Sequence, residues 1–430
     1  MATQFSEQDN PQWKRPFFTI WIGQAFSLLG SQIVQFALVW YLTKTTGSAT
    51  VLATATLVAI LPGVIVGPFI GSLVDRINRK RLIILADLGI ALSTVGLALL
   101  FAFDIVEVWH IYGLMALRAI GGAFHGPAFG ASTSLMVPVE HLARLQGVNQ
   151  MLQGGLNIIS APLGALLLEL MPMQGILAVD VVTAALAIFT VSLVVIPQPD
   201  RVSSKADGSE NSYWEDFRAG FHYVWAWPGL LIILVMAALI NFLLTPASAL
   251  TPLMIFEVFE GGAPQLALFE ALFAGGVIVG GIILGVWGGF KRRVATVMFG
   301  LIGLGAGMAI IGLAPAPGGF TVALGGMLLA GLLVPITNGS LGAIFQAAVD
   351  PSMQGRVFTL VGSMANAMSP IGLIFAGPLA DAIGVQGWFL IGGVVCSLLG
   401  LWGFTNRAVM TVEDEDSKPQ LGASARLETG

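Results

Sequence analysis

The sequence predicts an all-α integral membrane protein of twelve transmembrane helices, arranged as two pseudo-symmetric six-helix bundles. Three observations carry that expectation. Hydrophobic residues make up 56% of the chain and charged residues only 10%, whereas soluble domains carry roughly a quarter charged residues. The apolar residues fall in blocks of about twenty, the length that crosses ~30 Å of hydrocarbon. A polar gap from Pro197 to Pro228 divides six such blocks from six.

Read in order, a polar tail over 1–16 precedes spans near 17–43, 50–74, 82–103, 108–136, 145–169 and 174–196. The second set lies near 229–256, 264–290, 294–314, 318–347, 357–383 and 386–406, followed by a polar tail over 407–430. The first apolar run is too long for the core of a secretory signal, so it is expected to remain as the first span. Apart from Lys44 and Arg118, every Lys and Arg falls on the side of the two termini. The positive-inside rule then places both termini in the cytoplasm.

The gap over 197–228 begins as a flexible connection through Ser203, Ser204, Gly208 and Ser209. Its second half repeats Trp214, Phe217, Phe221, Val224 and Trp225 at helical spacing. Such a pattern fits an amphipathic helix lying in the headgroup region, or equally one packed on the ends of a bundle.

Six plus six suggests an internal duplication, and corresponding segments agree weakly. The second span ends Gly71-Ser-Leu-Val-Asp75-Arg76-Ile-Asn78-Arg79-Lys80-Arg81, and the eighth ends with the basic cluster Lys291-Arg292-Arg293. Arg144 opens the fifth span and Arg356 the eleventh, each followed by a polar stripe and a proline, Pro162 and Pro370.

Composition also excludes several functions. The basic residues are scattered among connections, so no nucleic-acid partner is expected. The four histidines, His110, His125, His141 and His222, are too dispersed to suggest a metal site, and no phosphate-binding loop is present. No cofactor is expected. Cys396 stands alone within an apolar block and reads as a packing residue. A membrane-embedded transferase would need convergent His and acid groups at one surface, which the sequence does not offer.

The run Gly71-x3-Asp75-Arg76-x2-Arg79-Lys80 resembles the signature loop of the major facilitator superfamily, with Asn78 where that family carries glycine. Asn still tolerates a left-handed turn. Leu114-x3-Arg118-x2-Gly121-Gly122 is similar to the family's second motif. Ala161-Pro162-Leu163-Gly164 keeps the proline and one glycine of the antiporter motif but lacks its leading glycine. Ser27-Leu-Leu-Gly30-Ser31-Gln32, Phe36-Ala37-Leu38, Thr46-Gly47-Ser48-Ala49 and Gly67-Pro68 resemble the macrolide-efflux and enterobactin-exporter branch. The resemblance implies a bacterial plasma membrane location, alternating access, and efflux of a small hydrophobic or amphipathic compound driven by protons. It also implies a gating role for the loop residues Gly71, Asp75, Arg76, Arg79 and Lys80, where the bland alternative is that the cations only fix topology.

A transport cavity needs polar groups that hydrocarbon would penalise. Gln24, Ser27, Ser31 and Gln35 recur on one face of the first span, and Gln146, Asn149, Gln150, Gln153, Asn157 and Ser160 on the fifth. The second half offers Asn241, Thr245 and Ser248, then Thr337 and Asn338, then Ser363 and Asn366. These amides line a cavity or, alternatively, join helices to one another. Aromatics such as Trp21, Phe26 and Phe345 are available to stack on a bulky apolar solute, although most are expected to face lipid or core.

Arg118 falls near the middle of the fourth span, where an unpaired charge costs several kcal/mol. His125 lies two turns further along the same face, and Gly121, Gly122 and Gly126 leave room for a neighbouring backbone. The family motif implies a part for Arg118 in proton coupling; the alternative is a permanent ion pair that holds helices together. The acids inside spans are Asp87, Asp180 and Glu270. Glu270 and Asp180 are expected at similar depth, and the outer position that the resemblance implies for the sixth helix favours a structural hydrogen bond for Asp180, which places Glu270 first as a proton carrier and Asp180 second. The expected partners are the bilayer, a small-molecule substrate and protons, with the chain acting as a monomer. Rival functions on the same fold are import, lipid flipping, or a sensor or scaffold that transports nothing.

Overall fold

The computed structural model describes residues 13–198, 218, 221–349 and 353–414. Twelve long helices account for nearly all of them, and the described residues hold no strand. In chain order they are α1 Lys14–Thr46, α2 Ala49–Arg76, α3 Arg79–Ala102, α4 Val108–Met136, α5 Val139–Leu170 and α6 Met173–Leu193. The second six are α7 Pro228–Leu253, α8 Ala263–Trp287, α9 Arg293–Leu313, α10 Phe320–Ala348, α11 Gln354–Ile383 and α12 Val385–Thr405, with a short α13 at Arg407–Met410.

The helix ends follow from local chemistry. Gly47 stops α1 in the left-handed region at φ 58°. Gly288 and Gly289, at φ 75° and 84°, stop α8 three residues before the expected end at 290. The largest departure from the sequence reading is α5, which starts at Val139 instead of 145. Pro138 occupies the N-cap and Glu140 the first turn, so a polar opening turn of helix reads in the sequence as a connection. Eleven of the twelve long helices are long and apolar enough to cross a membrane; α4 is the exception, since Arg118 and its two histidines lower its hydropathy.

The chain divides into two compact units, residues 1–203 with 261–271, and residues 204–260 with 272–430. Within the first, α1 packs on α5 and α6, α3 on α4 and α6, and α2 on α4. The second unit repeats the scheme: α7 packs on α11 and α12, and α9 on α10 and α12. α8 meets α10 where Gly276 and Gly280 lie against the backbone of Leu328 and Leu332. The same helix pairs recur in each half, as duplication of one module requires.

Small residues make these approaches possible, because apolar helices in lipid associate through close packing. A Cβ on Gly305, Gly312 or Gly393 would strike the facing backbone between α9 and α12. α13 and the turn after it fold back on the second unit, burying Val409 and Val412 fully. Glu413 caps the start of α9 by accepting from the Val294 N–H at 3.0 Å.

The described end of the amphipathic segment, 221–225, is helical. Tyr223, Val224 and Trp227 are buried in the core of the second unit, while Phe221 and Trp225 face outward and stack at 5.6 Å. This end packs on a bundle and keeps an apolar outer face; Trp214 and Phe217 lie outside the described residues.

Candidate functional site: two polar layers in the first unit

Three helices of the first unit each contribute a polar side chain twice, at positions seven residues apart. These are Gln24 and Ser31 on α1, Asp87 and Thr94 on α3, and Arg118 and His125 on α4. Seven residues is close to two turns, about 10 Å along the axis, so both members of each pair share a face. The order reverses on α4, as an antiparallel helix requires. Arg118 joins Ser31 and Thr94, while His125 joins Gln24 and Asp87.

The first layer closes around Asp180 of α6, which is only 1% exposed. Arg118 Nη1 donates to Asp180 Oδ2 at 2.6 Å, and Ser31 Oγ donates to Oδ1 at 3.1 Å. Thr94 Oγ1 stands 3.2 Å from Oδ2 and 3.3 Å from Arg118 Nη1. The carboxylate is therefore met by a permanent cation and two hydroxyls, the arrangement that lets a buried charge persist. Arg118 is the eleventh residue of α4, about 15 Å from its end by helical rise. A guanidinium at that depth is tolerable because it is paired.

The second layer is less complete. Gln24 Nε2 donates to Asp87 Oδ2 at 2.9 Å, and both residues are buried. His125 Nε2 lies 3.5 Å from Asp87 Oδ1, yet this buried nitrogen has no hydrogen-bond partner. The imidazole stacks parallel to Phe129 at 6.0 Å. An unsatisfied buried polar atom costs about 1–3 kcal/mol, so the site keeps a hydrogen-bonding capacity it does not use in this state.

α1 is seated on α6 by glycines with the same seven-residue spacing. A Cβ on Gly23 would collide with Thr190, and one on Gly30 with Thr183 and the Asp180 backbone. α5 approaches through Gly164, whose added Cβ would come within 2.7 Å of the Phe36 ring. Trp21 Nε1 donates to Asn149 Oδ1 at 2.8 Å, tying α1 to α5 a second time. Among the α4 glycines expected to admit a neighbour, only Gly121 does so, against Ile90; Gly122 and Gly126 have open space beside them.

The amide stripe of α5 splits. Gln146, Gln150, Gln153 and Asn157 are exposed along one face, Asn149 is half-buried, and Ser160 is buried with its hydroxyl turned back to the Leu156 carbonyl. On α1, Gln24 and Ser27 are buried, whereas Ser31 and Gln35 are half-buried.

The loop after α2 departs from expectation at Asn78. Its φ of −62° and ψ of 114° are extended, not left-handed, and its side chain accepts from the Arg81 N–H as the N-cap of α3. A capping amide explains why this position needs no glycine. Arg79 is buried with Nη1 on the Ala131 carbonyl at 2.8 Å, joining α3 to α4. Lys80 Nζ donates to the carbonyls of Ser192 and Val194 at 2.8 and 2.7 Å, placing a cation at the negative end of the α6 dipole. The side chains of Gly71, Asp75, Arg76 and, in α11, Asn366 lie outside the described residues.

In the second unit α7, α9 and α10 surround a cavity of about 150 Å³, with Asn241, Thr337 and Asn338 as its polar lining and Met236, Met298 and Leu301 among its apolar walls. Asn241 returns its Nδ2 to the Ala237 carbonyl. Thr245 and Ser369 join α7 to α11 through their hydroxyls at 2.9 Å. Glu270 of α8, ranked first among the acids by sequence, forms no hydrogen bond or ion pair with any described residue. Asp87, which the sequence reading set aside, sits instead at the centre of a polar layer; its seven-residue spacing from Thr94 was the available signal.

The family model described as Major Facilitator Superfamily matches residues 20–373. Macrolide efflux protein A of Streptococcus pyogenes is 38% identical over 387 residues, covering 89% of this chain and 94% of that protein. The protein of the same name from Enterococcus faecalis is 35% identical over 76% of this chain and its own full length. The multidrug efflux pump Tap of Mycolicibacterium fortuitum is 28% identical over 86% of this chain and 91% of that protein. A crystal structure of the nucleoside transporter NupG superposes with a TM-score of 0.67 at 13% identity, over 93% of this chain and 99% of NupG, a likeness of fold alone. Taken with twelve long helices in two repeated sets, these matches establish that the chain is a multi-pass membrane transporter and belongs to the Major Facilitator Superfamily.

Proposed function

We propose that this protein exports a bulky, amphipathic drug of the macrolide type from the bacterial cytoplasm, driven by protons moving inward. The observation that carries the substrate class is the 38% identity spanning 94% of a macrolide efflux protein. Two features of the chain support carriage in general. The exposed amides Gln146, Gln150, Gln153 and Asn157 on α5 would be penalised against acyl chains, so that face is one for water and solute. Asp180 and Asp87 are buried in the first unit beside Arg118 and His125, and ionisable groups within the membrane mark ion pathways.

The protein works as a monomer by alternating access in the plasma membrane, with both termini in the cytoplasm as the distribution of Lys and Arg favours. Arg79 and Lys80, anchored to α4 and α6, hold the inner end of α3 in the gating loop.

The test is a susceptibility panel in an efflux-deficient host expressing the chain. Resistance to macrolides should rise at least fourfold and vanish when a proton uncoupler is added. Unchanged susceptibility to every macrolide at verified membrane expression would reject the substrate class. Resistance that survives the uncoupler would reject the driving force.

A further inference from the structure

Among the described residues of the first unit two acids, Asp87 and Asp180, are buried, and their surroundings differ in kind. Asp180 faces Arg118, a cation that never gives up its proton, so its layer is neutral only while the carboxylate is ionised. Asp87 faces Gln24, which cannot titrate, and His125, which can. Neutrality in this second layer requires one proton, held on either the carboxylate or the imidazole.

We propose that Asp87 and His125 together form the carrier site for the transported proton, while Arg118 and Asp180 remain ionised through the cycle. This assignment rests on the proton-driven export proposed above. The proton arrives from water and forms an O–H bond on Asp87 or an N–H bond on His125. It leaves to water on the opposite side, and the layer is left with one uncompensated negative charge that low dielectric disfavours. Emptying the site therefore has to accompany a rearrangement that hydrates it or substrate binding that compensates it. The unused His125 Nε2, buried and 3.5 Å from Asp87 Oδ1, is the position a shared proton would fill.

Among the described residues, no further charged group is paired with Asp87 or His125. From α1 it meets Gln24, and from α4 His125. The α6 acid, Asp180, is two turns away and tied to Arg118. The cations of α3 itself, Arg79, Lys80 and Arg81, lie in its first turn, and Arg79 and Lys80 are directed to backbone carbonyls. Seven-residue spacing on α1, α3 and α4 means that a shift of α1 moves Gln24 and Ser31 together, so both layers respond to one motion.

Two measurements on purified protein test this. A pH-sensitive dye reports protons released per macrolide bound: wild type should release about one, and Asp87→Asn at least fivefold fewer per bound drug. In the unaltered protein, dicyclohexylcarbodiimide should label Asp87, since it reacts with protonated carboxyls in apolar surroundings, and macrolide should lower that labelling at least threefold. Label on Asp180 or Glu270 with Asp87 unmodified would overturn the assignment, whether or not Asp87→Asn folds. Wild-type release that persists in Asp87→Asn overturns the assignment alone. Absence of release from the wild type removes the proton-driven reading and this assignment with it.

Discussion

Arg118 and Asp180 stand 62 residues apart in the sequence and meet at 2.6 Å, joining α4 to α6 inside the membrane-spanning part of the first unit. The pair is closed by Ser31 and Thr94, so four helices converge on one carboxylate.

Removing one partner of a buried pair leaves the other charge uncompensated, at about 3–5 kcal/mol. Asp180→Leu and Arg118→Leu should each lower the melting temperature in detergent sharply. The double substitution should recover most of that loss, because it buries no charge. If the double variant is as unstable as the sum of the singles, the pair is not the source of the cost.

Lys80 caps α6 through two carbonyls. Lys80→Met should cost about 1.5–3 kcal/mol, the contribution of hydrogen bonds from a charged donor. Hydrogen exchange should quicken at the end of α6 and remain unchanged in α9. The measurement is native-state exchange by mass spectrometry on the unaltered protein and Lys80→Met in the same detergent.

Gly164 is small because Phe36 occupies the space its side chain would take. Gly164→Leu should destabilise by about 1–3 kcal/mol through overpacking, and Phe36→Ala should relieve much of that in the double variant. A thermal-stability cycle over the four proteins gives the coupling energy; a value near zero would mean that α1 and α5 do not meet here.

Ending the chain after Asn406 removes Val409 and Val412 from the core of the second unit and Glu413 from the start of α9. Two buried valines alone contribute about 3 kcal/mol. The truncated protein should therefore lose protection at the start of α9, read by exchange, although all twelve long helices are retained.

Much of the fold was legible because hydrocarbon imposes a length on every spanning segment. The span over 108–136 coincides with α4 Val108–Met136, and the errors gather where polar turns begin a helix, as at Val139. The polar layers were legible only within single helices. Spacing shows that Gln24 and Ser31 share a face, but not that α3 and α4 present Asp87 and Arg118 to it, because that depends on the crossing of three helices. Glu270 was favoured over Asp180 on the expected outer position of the sixth helix, and neither depth nor helix order says anything about partners. Asn78 was compared with the glycine of a motif, whereas its amide made it a cap.

Proton-driven export is tested most directly by uptake of a radiolabelled macrolide into proteoliposomes holding the purified protein, with an imposed pH gradient, acidic inside. The account predicts accumulation above the equilibrium level, with accumulation collapsing when the gradient is dissipated and at least tenfold less of it in Asp87→Asn. Accumulation that is indifferent to the pH gradient, or none at all from protein shown to bind the drug, would contradict it.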